Sequence, residues 1–356
     1  MTLLRATRHT ANLSWRTFSS CCSCRSPGPD GVSYKAPIAA GRLPAYDEAL
    51  KLLQADRDDK LQRLAKLRTQ GDVEQSVLDK LEVEAWVNDP ETRWRAKHGH
   101  GDPTKAVYRH LAEMKWRREG ALAILMQRVT QMSLVPDVLP EFDPVLDVQI
   151  SVAQHSQEPL QPGVFTLPRQ VSRRGGRSRI SLQTTFIDAS FLQTREPFKV
   201  SAQVFHPDER LYTLLMVDPD VPDQLHKTFT TTLHWLVPNI PLSSSKSDLS
   251  SSPALIPYLP PHPQQGTPYH RYTLALLEQK QEFGLAPEAV ERTDFSVRDF
   301  MRQNDLTASG MSFFRQKWDE DVSAIYREIL GAEPPRFARP PKIDTYAGRP
   351  AKYGLL

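Results

Sequence analysis

Two stretches, Asp218-Pro219-Asp220-Val221-Pro222 and Gly266-Thr267-Pro268-Tyr269-His270-Arg271-Tyr272, decide how this chain reads. In the first, two carboxylates leave the apolar run 212–217 on a turn stiffened by prolines, which fix φ and remove amide donors. In the second, a Gly-Thr-Pro turn delivers His270 and Arg271 straight into the apolar run 272–277. Both runs are nearly continuous in apolar residues, the pattern of strands covered on both faces. Between them, His234-Trp235-Leu236-Val237 reads as a further strand, with Asn239 at its end. Upstream, Leu146, Val148, Ile150 and Val152 alternate with polar residues, and Phe198, Val200, Ala202 and Val204 repeat that period of two. This is the signature of half-buried strands, and several of them separated by turns indicate a sandwich.

The ordered set resembles the phosphatidylethanolamine-binding protein (PEBP) family: an Asp-Pro-Asp-x-Pro turn, a His-bearing strand, then a Gly-Thr-x-x-His-Arg-Tyr segment. The resemblance implies a mainly β fold with peripheral helices, a Greek-key β-sandwich spanning residues 134–335. It also implies a small anion pocket of Asp218, His234, His270 and Tyr272, supported by Asp220, Pro222 and Arg271. Phe295 to Phe300, and Phe313-Phe314 to Trp318, resemble the family's closing helices. The chain departs from the family at Thr231-Thr232-Leu233-His234, where an acidic-Trp-His-His run is usual. His262 and Gln264 stand where Gly and Pro usually form the rim, and Pro268 replaces a common Gly.

Ahead of the sandwich, residues 45–133 read as an α-helical N-terminal arm. Leu50, Leu53, Leu61, Leu64 and Leu67 form one stripe broken by Arg57. Val73, Val77, Leu81 and Ala85 form a second, ending before Asp89-Pro90, a cap followed by a first-turn proline. Val107, Leu111, Met114, Leu122, Leu125, Val129 and Met132 predict a third and longest helix. Stripes this narrow make little core of their own, so the arm is expected to pack on something else. Arg93-Trp94-Arg95 and Lys115-Trp116-Arg117-Arg118 interleave cations with an indole, which suits base stacking and phosphate contact. The same pattern also fits a solvated charged face with its tryptophan turned inward.

The ends of the chain are basic. Residues 1–30 carry Arg5, Arg8, Arg16 and Arg25, with no acid before Asp30, together with many Ser and Thr. That composition predicts a mitochondrial transit peptide and a matrix location. Cys21, Cys22 and Cys24 all fall in this segment, which leaves the rest of the chain without a disulfide framework or thiol catalysis. Residues 336–356 form an extended Pro-rich tail with Arg336, Arg339, Lys342, Arg349 and Lys352. Arg169, Arg173, Arg174, Arg177 and Arg179 surround Gly175-Gly176 in a cationic loop suited to phosphate backbones.

The chemistry of enzymes is sparse here. No Gly-x-Ser-x-Gly elbow or His-Glu-x-x-His spacing is present, so no catalytic residue, metal or cofactor is assigned. No apolar run approaches the about eighteen residues that a membrane-spanning helix needs. Import signal, arm, PEBP-like core and basic tail, in that order, resemble the PEBP-fold proteins of the mitochondrial large ribosomal subunit in their fungal form. That resemblance implies a structural component whose arm, loop and tail contact rRNA and neighbouring ribosomal proteins, with no DNA partner and no homo-oligomer. The alternative expectation is a mitochondrial PEBP-type binder of small anions or phospholipid headgroups, or a peptidase inhibitor.

Overall fold

The apolar runs build a five-stranded sheet in the computed structural model, which describes residues 34–71, 73–151, 159–166, 196–249, 252–282 and 284–337. Its strands are β2 (Val164–Thr166), β4 (Arg210–Asp223), β5 (Thr228–Leu242), β6 (His270–Gln279) and β7 (Leu306–Gln316), in the order β2-β7-β6-β4-β5. All neighbours are antiparallel except β2, which lies parallel to β7. The alternating stretches form a second, two-stranded sheet from β1 (Asp147–Ser151) and β3 (Lys199–Gln203).

Successive side chains of a strand point to opposite faces, and here each face meets its own cover. Tyr212, Leu214, Met216, Leu274 and Leu276 pack against Val148, Ile150, Val200 and Ala202 of the small sheet. Leu215, Val217, Ala275 and Leu277 face the other way, onto helices. The central strands are therefore continuous in apolar residues because both faces are buried. Each fully buried side chain of this kind contributes roughly 1.5–3 kcal/mol. Gly310 of β7 is required by this packing, since a Cβ there would stand 2.3 Å from Leu146 Cδ1 and 2.7 Å from Val148 Cγ2.

The region 306–316 corrects one expectation. Phe313 and Phe314 lie in β7, inside the sheet, and Trp318 follows its end. They belong to no closing helix. Phe313 and Phe314 point to opposite faces and join different cores, so two adjacent aromatics mark a doubly covered strand. The segment 295–300 does enter a helix, α7 (Val297–Gln303), as expected, and Ser296 caps the Asp299 amide at 3.2 Å.

The arm contains α1 (Pro44–Gln70), α2 (Gln75–Trp86), α3 (Pro90–Lys97) and α4 (Ala106–Arg118). Asp89 accepts from the Thr92 amide at 2.9 Å with Pro90 opening α3, the cap that the sequence predicts. The expected third helix is two. Gly120, at φ +98, separates α4 from α5 (Ala121–Gln131), because an L-residue side chain resists that backbone geometry. The short turn α6 (Leu134–Asp137) follows.

Few apolar side chains of α1–α4 are fully buried, and ion pairs join the helices beside them. Arg57 reaches Asp89 at 3.2 Å and lies 5.0 Å from the Trp86 ring centroid. Buried Arg109 reaches Asp79 at 2.9 Å. By contrast, Leu125 and Val129 of α5 enter the helix-covered core of the sheet. Trp116, at the end of α4, is buried with its ring 5.5 Å from that of Phe205. The arm is thus joined to the sandwich through α5 and one indole.

Candidate functional site

β4 and β5 continue together past the end of β6. The pairing of β4 with β6 stops at Val217 opposite Thr273, so Asp218 sits where the covered part of β4 ends. Its Oδ1 accepts the Asp220 amide at 3.0 Å, and its Oδ2 accepts from His270 Nδ1 at 2.7 Å. The first turn residue and the first residue of β6 are thereby joined across the sheet.

The other His270 nitrogen is also committed. The Thr267 hydroxyl donates to the Gln264 carbonyl at 2.8 Å. The same hydroxyl lies 2.9 Å from His270 Nε2 and pairs with it in either tautomer. No ring proton of His270 is left for a ligand. His234 on β5 (2.8 Å) donates from Nδ1 to the Leu259 carbonyl, while its Nε2 is buried without a hydrogen-bond partner among the described residues. Burial, reinforced by the neighbouring His262, pushes the His234 imidazole down to about 3. It is neutral at ordinary pH, and its Nε2 presents a lone pair inward.

Aromatic and imidazole rings close the cluster. The His262 ring lies 5.0 Å from His234, and Tyr272 meets His234 edge-on at 5.2 Å. Tyr326, in the π turn Tyr326–Leu330 after α8 (Val322–Ile325), stands edge-on to His262 at 5.2 Å and donates to its carbonyl at 3.2 Å. Asp218 is 2% exposed, His270 1%, His234 0% and Tyr272 0%. Burial alone would raise the Asp218 carboxyl, but the adjoining His270 outweighs it and holds the group below the usual carboxylate range. Burial raises the Tyr272 phenol, which therefore stays protonated.

The structure thus brings together Asp218, His234, His270 and Tyr272; Asp218 and His270 bind each other, whereas His234 Nε2 and the Tyr272 hydroxyl have no hydrogen-bond partner among the described residues. A carboxylate and an imidazole lone pair turned inward disfavour an anion, and the Tyr272 hydroxyl is the one unspent donor of the four side chains. Asp220 and Arg271 stand beside it as a clamp. Arg271 reaches Asp220 through its amide (2.9 Å), Nε (2.9 Å) and Nη2 (2.7 Å), and through Nη1 contacts Asp137 at 2.9 Å and the Met132 carbonyl at 2.5 Å. It ties the β4 turn to Met132, just after α5, and to Asp137 at the end of α6. Pro222 sits opposite Phe229 in the projecting β4–β5 hairpin, four residues beyond Asp218.

Motif reading gave Thr267 no role of its own and missed the other closing parts: the Leu259 carbonyl, Tyr326 and the chain near Phe337. The Phe337 amide donates to the Gln265 carbonyl at 2.7 Å. A Cβ on Gly266 (φ +95) would stand 1.6 Å from the Phe337 oxygen, so glycine is required where the C-terminal segment crosses the rim. The unusual rim residues His262 and Gln264 were the available signal.

Of the cationic candidates, Arg93, Lys115, Arg117 and Arg118 are exposed, Trp94 and Arg95 are half-buried, and Trp116 is turned inward. Trp116 cannot stack on a base in this position. Exposed Arg336 bridges to Gln265 beside the site. Arg169, Arg173, Arg174, Arg177, Arg179, Arg339, Lys342, Arg349 and Lys352, and the N-terminal segment 1–30, lie outside the described residues.

The sheet and its covers form a PEBP-like β fold with helices, and residues 178–314 match the model of the phosphatidylethanolamine-binding protein family. Over nearly its whole length the chain is similar to the large ribosomal subunit protein mL38 of Schizosaccharomyces pombe, at 26% identity over 313 residues, 87% of this chain and 91% of that protein. A shorter similarity, 39% over 99 residues, links 27% of this chain to 53% of the Protein MOTHER of FT and TFL1 homolog 2 of Oryza sativa subsp. japonica. Among solved structures, a phosphatidylethanolamine-binding protein from Plasmodium vivax aligns with TM-score 0.39 at 18% identity, covering 54% of this chain and 97% of its own. Carboxypeptidase Y inhibitor, solved with its cognate proteinase, aligns with TM-score 0.40 at 18% identity, covering 54% and 93%.

Proposed function

We propose that this chain is a structural component of the mitochondrial large ribosomal subunit, in which the PEBP-type domain serves as a building block and the segments around it bind rRNA and neighbouring proteins. The observation that carries the reading is the extent of the similarity to mL38, which reaches 91% of that protein and so extends far beyond the domain match at 178–314. Transit peptide, arm (45–133), domain (134–335) and tail (336–356) are the proposed parts. The acid-free N-terminal segment supports import into the matrix, and the exposed cations of α3 and α4 support contact with RNA. Affinity purification of the tagged chain from mitochondria tests this. Large-subunit rRNA should dominate the recovered RNA, and a sample without rRNA enrichment would overturn the reading.

A further inference from the structure

We propose that Phe165, Tyr269, Arg315 and Lys317 form a contact site for a single unstacked nucleotide of RNA, an inference that rests on the ribosomal reading above. The four come from three separate places, the strand β2, the turn before β6, and the end of β7. The Phe165 and Tyr269 rings meet edge-on at 5.8 Å. The Arg315 guanidinium carbon lies 4.0 Å from the Phe165 centroid and 5.3 Å from that of Tyr269, and Lys317 Nζ lies 5.5 Å from Phe165.

The charge pattern points to an anionic ligand. Arg57, Arg109 and Arg271 each bind an aspartate, whereas half-buried Arg128 binds only the Pro162 carbonyl. Arg315 and Lys317 have no acidic partner among the described residues. Arg315 donates only from Nε, to the Gly163 carbonyl at 2.8 Å, which fixes its direction and leaves both Nη groups without a hydrogen bond among the described residues. A guanidinium anchored at Nε and backed by an aromatic ring offers a flat cationic surface to a base and a fork of donors to a phosphate. Lys317 is exposed beside it and supplies a second phosphate contact. The acidic run Asp319-Glu320-Asp321 follows at once, which limits the footprint and favours one nucleotide over a long groove. An acidic or neutral protein surface would use the cations but not the aromatic backing.

The test is fluorescence anisotropy of the full chain with a labelled single-stranded oligoribonucleotide, beside a duplex of the same sequence. R315Q/K317Q should weaken single-strand binding about tenfold and lower the slope of log K against log salt by about 1.4, at roughly 0.7 per phosphate contact. Tyr269→Leu should weaken it by about fivefold or more with little change of slope, as loss of stacking does. Photocrosslinking of 4-thiouridine RNA to the unmodified chain should map to Tyr269 or Phe165, a readout independent of whether a variant folds. Wild-type affinity and slope in folded variants, or crosslinks that avoid both aromatics, would overturn the site. Co-purification of rRNA with unchanged binding by the variants would sink this site alone. Crosslinks at Tyr269 without any rRNA association in mitochondria would sink the ribosomal reading alone.

Discussion

His270 Nδ1 and Asp218 Oδ2 stand 2.7 Å apart with side-chain exposures of 1% and 2%. A charge-assisted bond this deep stabilises only while both partners are present, because removing one leaves the other buried without compensation. Asp218→Asn should therefore cost roughly 3–5 kcal/mol of unfolding free energy, read from urea denaturation at neutral pH. A loss within about 1 kcal/mol, the range of an exposed pair, would show that the pair is not holding β4 to β6. The Asp218 carboxyl is held below its ordinary value. Its contribution is present above an unfolded pKa of about 3.9 and is lost as pH falls through the lower folded value.

His234 gives stability a second, milder acid dependence. Folding depresses its pKa to about 3, whereas the unfolded chain takes up that proton near 6.5. The contribution is complete above about pH 6.5 and declines below it, by roughly 2 kcal/mol at pH 5 for one such group. His262 is lowered by burial as well and acts in the same direction. Urea midpoints at pH 7.5, 6 and 5 should fall steadily in the native chain and fall less in His234→Gln. Equal pH dependence in the two would remove His234 from the account.

Gly310 sets the distance between the two sheets. A methyl group there meets Leu146 and Val148 side chains at 2.3 and 2.7 Å, and overpacking of this sort typically costs about 1–3 kcal/mol. Gly310→Ala should lower the thermal midpoint, whereas Gly284→Ala, which meets nothing within 4 Å, should leave it nearly unchanged. Equal midpoints for both variants would contradict the packing described.

Much of this was legible before the structure. The alternation at Leu146 to Val152 and at Phe198 to Val204 marks β1 and β3, and the continuous runs mark β4 and β6. The segment 306–316 was harder, because adjacent Phe313 and Phe314 suit either a buried helix or a strand covered on both faces, and short apolar runs do not separate the two. Gly120 broke a stripe whose spacing otherwise continued. At the site, Asp218, His234, His270 and Tyr272 carry motif identity and do assemble. Their closure depends on the Leu259 carbonyl, the Phe337 backbone and Tyr326, contacts distant in sequence that no motif encodes.

The buried cluster makes its own prediction for ligands. Calorimetric titration of the folded chain with inorganic phosphate or phosphoethanolamine should give no saturable heat at millimolar concentration, where binding free energies are about 4 kcal/mol. A saturable isotherm would mean that His262 and Tyr326 move aside and that the anion pocket operates.

The central claim is that the chain is built into the large ribosomal subunit of mitochondria. Sucrose-gradient sedimentation of mitochondrial lysate, with magnesium lowered to separate the subunits, tests it most directly. The account predicts that the chain migrates with the large-subunit rRNA and stays there at moderate salt; a chain found at the top of the gradient, or with the small subunit, contradicts it.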